Sequence, residues 1–196
     1  MKIVFILETI DAPRMMKRIL EIINNKYEVE VYGFKHFREK TLSTPTGFSI
    51  NVIGEINHAS YWMRIKTIVR GIRKVLRATK GQDVLYYIPN LDVAMFFRML
   101  SRADYVFEES DLKHTYVHSK LVQGILERID KRVIRKSVVS AFTSEGFVRY
   151  HYFLGDLGNV LEISVYLKPN VNAQEKSKEN PSFKFDCAKI LTFSER

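Results

Sequence analysis

Four consecutive polar residues, Glu108-Glu109-Ser110-Asp111, follow directly on the apolar run Tyr105-Val-Phe107. Carboxylates this close together can hold sugar hydroxyls, because an ionised carboxylate accepts several oriented hydrogen bonds. Crowding can also raise one of their pKa values toward that of a general base. The same residues suit a solvent-facing turn with a helix cap, and both readings stand at this level. Glu109 and Asp111 are the stronger candidates, since Glu108 can simply finish the strand. Comparable polar transitions occur at Glu8-Thr-Ile-Asp11, Pro89-Asn-Leu-Asp92 and Thr143-Ser-Glu145. In an open parallel sheet such loops gather along one edge, where these folds place their ligands.

At Thr143-Ser-Glu-Gly-Phe147 an apolar segment gives way to a helix. Free backbone amides at a helix start can hold a phosphate or carboxylate. Ser144 fits equally as an N-cap or as a ligand contact. Gly146 permits close approach, and Arg149 can join an anionic contact or lie in solvent. No G-x-G-x-x-G and no G-x-x-x-x-G-K-[S/T] is present, which disfavours a standard dinucleotide fold and a P-loop NTPase. His114 and His118 lie four apart with no acidic metal-site partner in sequence, so no metal is expected; either could serve as a base near the Glu109 loop, but a surface or capping role is expected. Cys187 is the only cysteine, which excludes an internal disulfide, and it is expected to be a partly buried thiol.

The elements that must position these groups read as alternating strands and helices. Strands are expected at 2–7, 28–34, 48–53, 83–88, 105–107, 137–142 and 160–167. Helices are expected at 12–25, 61–79, 91–101, 119–135 and 145–154, the first capped by Asp11 with Pro13 in its opening turn. That spacing predicts right-handed βαβ crossovers and an α/β, Rossmann-like, mainly parallel sheet with helices on both faces. The expected division is a domain at 1–170, a polar linker at 171–182, and at 183–196 an added strand or the truncated start of a second domain.

The chain has 196 residues and a formal net charge of +9. That balance is compatible with nucleic acid, anionic lipid or phosphorylated small molecules. No membrane span is expected, and the apolar start, interrupted by Glu8 and Asp11, is too short for a signal peptide. A cytoplasmic protein is therefore expected. Residues 61–80 hold seven Lys or Arg and no acidic residue. At helical spacing Tyr61, Trp62, Ile65, Ile68, Val69, Ile72, Val75 and Leu76 form one arc, and Arg64, Lys66, Arg70, Arg73, Lys74 and Arg77 face mainly away. A buried crossover helix with a solvated back and a helix resting on an anionic membrane both fit. Nucleic acid is not expected, because no stacking or base-reading motif interleaves with the cations.

In order along the chain, Asp11-Ala-Pro-Arg-Met-Met-Lys-Arg-Ile19, Val29-Glu-Val-Tyr-Gly-Phe34, Asp104-Tyr-Val-Phe-Glu-Glu-Ser-Asp-Leu112, Thr143-Ser-Glu-Gly-Phe147 and Lys168-Pro-Asn-Val171 resemble the N-terminal half of a GT-B glycosyltransferase. The resemblance is to the large retaining group that includes bacterial polysaccharide and lipopolysaccharide sugar transferases, and it spans about residues 1–172. It implies an acceptor-binding domain facing a donor domain across a cleft, no metal, and no cofactor beyond the nucleotide-sugar donor. Asp11 and Arg14 would border the cleft near the donor phosphate or acceptor. Glu109 and Asp111 would line the acceptor side, and Ser144, Glu145 and Arg149 the interdomain opening. The acceptor would be a cell-surface polysaccharide or a lipid-linked glycan, with residues 61–80 a possible seat on the inner membrane face. This chain departs from the group in its first loop, which is not glycine-rich, and in having Pro89-Asn-Leu-Asp92 where a histidine is frequent. The donor domain does not fit after Asn172, so the chain alone is expected to be inactive. The rival reading from another class is a non-catalytic sugar- or nucleotide-binding α/β module working with a separate polypeptide; a nucleic-acid-binding protein ranks third.

Overall fold

The computed structural model describes residues 1–10, 12–36, 48–56, 60–153 and 160–162. Seven strands, β1 (Lys2–Leu7), β2 (Glu28–His36), β3 (Ile50–Ile56), β4 (Val84–Ile88), β5 (Tyr105–Glu109), β6 (Val139–Phe142) and β7 (Val160–Glu162), form one sheet in the order β3-β2-β1-β4-β5-β6-β7. Every pairing in it is parallel. The helices are α1 (Pro13–Asn24), α2 (Tyr61–Ala78), α3 (Leu91–Leu100), α4 (Lys120–Lys136) and α5 (Glu145–Phe153), with a short 3-10 turn at Lys113–Tyr116. This is the expected α/β, Rossmann-like architecture.

Burial on both faces explains why the strands read as continuous apolar runs rather than alternating ones. On one face Val4, Ile6, Tyr86, Ile88, Tyr105 and Phe107 pack with Ile68, Ile72 and Val75 of α2, Val93, Ala94 and Phe97 of α3, and Val133 and Ile134 of α4. On the other, Ile3, Phe5, Leu7, Leu85, Tyr87 and Val106 pack with Met15, Met16, Ile19 and Ile22 of α1. Pro13 opens α1 as expected, behind an extended Ala12 at the cap position. Gly81, at φ +79°, takes the left-handed turn from α2 into β4, which a side chain would resist.

Several boundaries shift. β3 starts at Ile50 rather than 48, and Ser137 ends α4 as its C-cap instead of beginning a strand. β5 continues through both glutamates, because Glu108 and Glu109 keep pairing with Ala141 and Phe142 of β6. Of the strand expected at 160–167, Val160–Glu162 is observed. Residues 163–167, the linker, the terminal segment with Cys187, and Asp11 lie outside the described residues.

Candidate functional site

Side chains alternate across a strand, so the adjacent Glu108 and Glu109 point to opposite faces of the sheet. Each is buried in its own polar cluster. Glu108, fully buried, faces α1. Tyr87 Oη donates to its Oε2 at 2.5 Å, and Arg18 of α1 donates to the same oxygen and, at 2.9 Å, to Tyr87 Oη. Arg14, one turn earlier on α1, places a guanidinium nitrogen 3.3 Å from the other carboxylate oxygen. Burial first, and then the Glu108 carboxylate, hold the Tyr87 hydroxyl well above its ordinary pKa. The phenol therefore stays a donor, and the cluster is a charge-compensated tie between α1 and the strand ends.

Glu109 faces α4 and α5 and is 2% exposed. His151 Nε2 lies 2.7 Å from its Oε2, and Asp130 of α4 approaches the same imidazole nitrogen at 4.0 Å. Burial pushes the Glu109 carboxyl up to about 7, a hydrogen bond with Asp130 opposes this, and the Asp111 charge adds to it. His114 is buried beside them: its Nε2 meets Tyr150 Oη at 3.0 Å and its Nδ1 lies 3.9 Å from Asp130 Oδ2. The surface or capping role expected of His114 is thus corrected, because the 3-10 turn at 113–116 folds it inward; His118 is exposed, as expected. Glu109, Asp130 and His151 bring their ligand atoms within 4.8 Å of one another, a juxtaposition that histidine spacing in the sequence did not indicate.

A third cluster is the most accessible to solvent. Glu8 follows β1, Asp92 sits in the first turn of α3 after β4, Lys113 follows β5, and Arg64 lies in the first turn of α2. Arg64 donates to Glu8 and, at 2.6 Å, to Asp92 Oδ2. Lys113 Nζ reaches Asp92 Oδ1 at 3.1 Å and Glu8 Oε2 at 3.8 Å. The chain leaves β1 toward β2 and β3 and returns through α2 to β4, so the β1–β4 boundary is where the strand order reverses. Crevices beyond the carboxyl ends of strands at such a switch point are where open α/β sheets bind ligands. The four charges span that point, with Arg64 Nε buried and without an acceptor. A narrow cleft beside them runs between segments 89–91 and 108–113. The larger cavity, about 620 Å³, lies elsewhere, between the C-terminal halves of α3 and α4, with Arg98, Arg132 and Lys136 in its lining.

The polar transitions after β1, β4, β5 and β6 therefore do gather along one edge, but the candidate residues do not form a single constellation. Arg14 lies on Glu108, and Glu109 on His151. Asp111 is exposed and caps nothing, since Leu112 precedes the 3-10 turn. Ser144 accepts the Phe147 amide through Oγ at 3.4 Å, the N-cap geometry. Glu145 opens α5, its side chain outside the described atoms, and Arg149 is exposed. Arg64, expected on the solvated back of α2, turns instead to the sheet edge because Glu8 and Asp92 wait there. Tyr61 and Trp62, expected on the apolar arc, are exposed, Trp62 at 78%, whereas Ile68, Ile72 and Val75 further along are buried. Arg18, Asp130 and His151 carried no signal in sequence, since nothing local sets them apart from the other polar residues of their helices. Among the described residues no helix is long and apolar enough to cross a membrane. A scan against protein-family models finds no match to the chain, and a search of curated proteins finds none either.

Proposed function

We propose that the chain is the acceptor-binding domain of a glycosyltransferase, one that moves a sugar from a nucleotide-sugar donor to a cell-surface polysaccharide or lipid-linked acceptor. The observation that carries this reading is the quartet of Glu8, Asp92, Arg64 and Lys113 over the β1–β4 switch point. Its chemistry suits a phosphorylated or polyhydroxylated ligand on both counts. Sugar hydroxyls can donate to the two carboxylates, and donor phosphate oxygens can accept from the two cations. Because the four groups are paired with one another, a ligand exchanges hydrogen bonds without stripping a bare charge of its partners. In the complete enzyme, closure over this edge would orient the acceptor hydroxyl and exclude water as a competing acceptor.

The test is titration of the purified chain with nucleotide sugars and with short oligosaccharides, in wild type and in the Glu8→Gln/Asp92→Asn variant. Removing two charged acceptors is expected to weaken glycan binding about tenfold or more, since hydrogen bonds to charged groups contribute about 1.5–3 kcal/mol each. Unchanged affinity in a folded variant would move the site away from the switch point. Binding of glycans with no transfer, in a polypeptide that pairs this domain with a donor-binding domain, would favour the non-catalytic module.

A further inference from the structure

We propose that Glu109, Asp130 and His151, with His114 as a fourth donor, form a closed site for one divalent first-row transition-metal ion. The donors come from four separate elements: the end of β5, the 3-10 turn, α4 and α5. All four side chains are at most 2% exposed. The two carboxylates and the His151 imidazole already bring ligand atoms within 4.8 Å of one another. Ligand atoms around an ion with bonds of about 2.0–2.2 Å sit about 3.0–3.5 Å apart. The observed separations of 2.7 Å, Glu109 to His151, and 4.0 Å, His151 to Asp130, bracket that value, so small side-chain adjustments close the shell.

The independent observation is His114. Its Nδ1 is buried with no hydrogen-bond partner and lies 3.9 Å from Asp130 Oδ2, too far for a hydrogen bond. Its other nitrogen meets Tyr150 Oη at 3.0 Å. When Nε2 carries the proton and donates to Tyr150, Nδ1 presents a lone pair toward a carboxylate, an arrangement that is repulsive until a cation sits between them. A histidine held through one ring nitrogen while the other faces the ion is how metal sites fix their ligands.

A mixed nitrogen and oxygen donor set selects Zn²⁺, Mn²⁺, Fe²⁺ or Co²⁺ over Mg²⁺ and Ca²⁺, which favour all-oxygen shells. The ion would join β5 to α4 and α5 behind the loop that carries Lys113, a structural role separate from glycan binding.

The experiment is calorimetric titration of the chelator-treated, dialysed full chain with Zn²⁺, Mn²⁺, Co²⁺ and Mg²⁺. One equivalent of a transition ion is expected to bind and raise the thermal midpoint, with Mg²⁺ weaker by at least tenfold. His151→Gln and Asp130→Asn are each expected to lose at least tenfold in affinity, while the exposed His118→Ala leaves it unchanged. If either variant fails to fold, Co²⁺ bound to wild type decides the matter through hyperfine-shifted ring protons of His114 and His151. No stoichiometric binding to folded wild type, affinity unchanged in the ligand variants, or hyperfine shifts at other histidines would overturn the site.

Discussion

Replacing Glu108 with glutamine is expected to destabilise the fold by about 3–5 kcal/mol, the range seen when one partner of a buried ion pair is removed. Glu108 is fully buried, and Arg18, itself buried, spends its guanidinium on that carboxylate and on Tyr87. Without the charge, Arg18 loses its ionic contact with Glu108, and Arg14 loses its 3.3 Å partner. Arg18→Met is expected to cost a similar amount, because it leaves the buried carboxylate with only the Tyr87 hydroxyl and the more exposed Arg14. The double variant Arg18→Met/Glu108→Gln removes both charges together, so its loss should fall well short of the sum. Urea unfolding of the four proteins measures this. Additive losses, or single losses under about 1 kcal/mol, would mean that the pair does not tie α1 to the sheet.

Gly71→Ala is expected to destabilise by about 1–3 kcal/mol, the usual cost of overpacking a filled core. Intrinsic propensity argues the other way, because alanine in a helix interior is favoured over glycine by about 1 kcal/mol. Packing decides the sign. A Cβ on Gly71 would meet two ring carbons of Phe34 at 2.5 and 2.6 Å and Ile53 Cδ1 at 3.2 Å, and Phe34 is fully buried in β2. Gly71 is the point where α2 lies against the sheet. A rise in the thermal midpoint of Gly71→Ala would contradict that close approach.

The elements were legible in sequence because a buried parallel sheet writes itself as short apolar runs between amphipathic helices. β1, β4 and α2 show this most plainly, and the polar residues at their ends announced the edge that collects Glu8, Asp92 and Lys113. The partners of those residues were not legible. Glu108 looked like the end of a strand and Glu109 like a loop carboxylate, yet one more turn of pairing with β6 buries both and sends them to opposite faces. That outcome depends on where β5 stops, a difference of two residues that periodicity does not resolve. Arg18, Asp130 and His151 stand up to 90 positions from the groups they meet, and nothing local distinguishes them from the polar side of a helix. Arg64 shows the converse: helical spacing put it among solvated cations, and its place in the first turn of α2 carries it to the sheet edge.

The most direct test of the account is residue-by-residue: amide spectra of the isotopically labelled chain titrated with a nucleotide sugar and with an oligosaccharide acceptor fragment. Perturbations are expected at residues 8–10, 89–92 and 110–113, over the β1–β4 switch point. Perturbations confined to the opposite edge, around Arg98 and Arg132 between α3 and α4, or none at millimolar ligand, would contradict the assignment of this site.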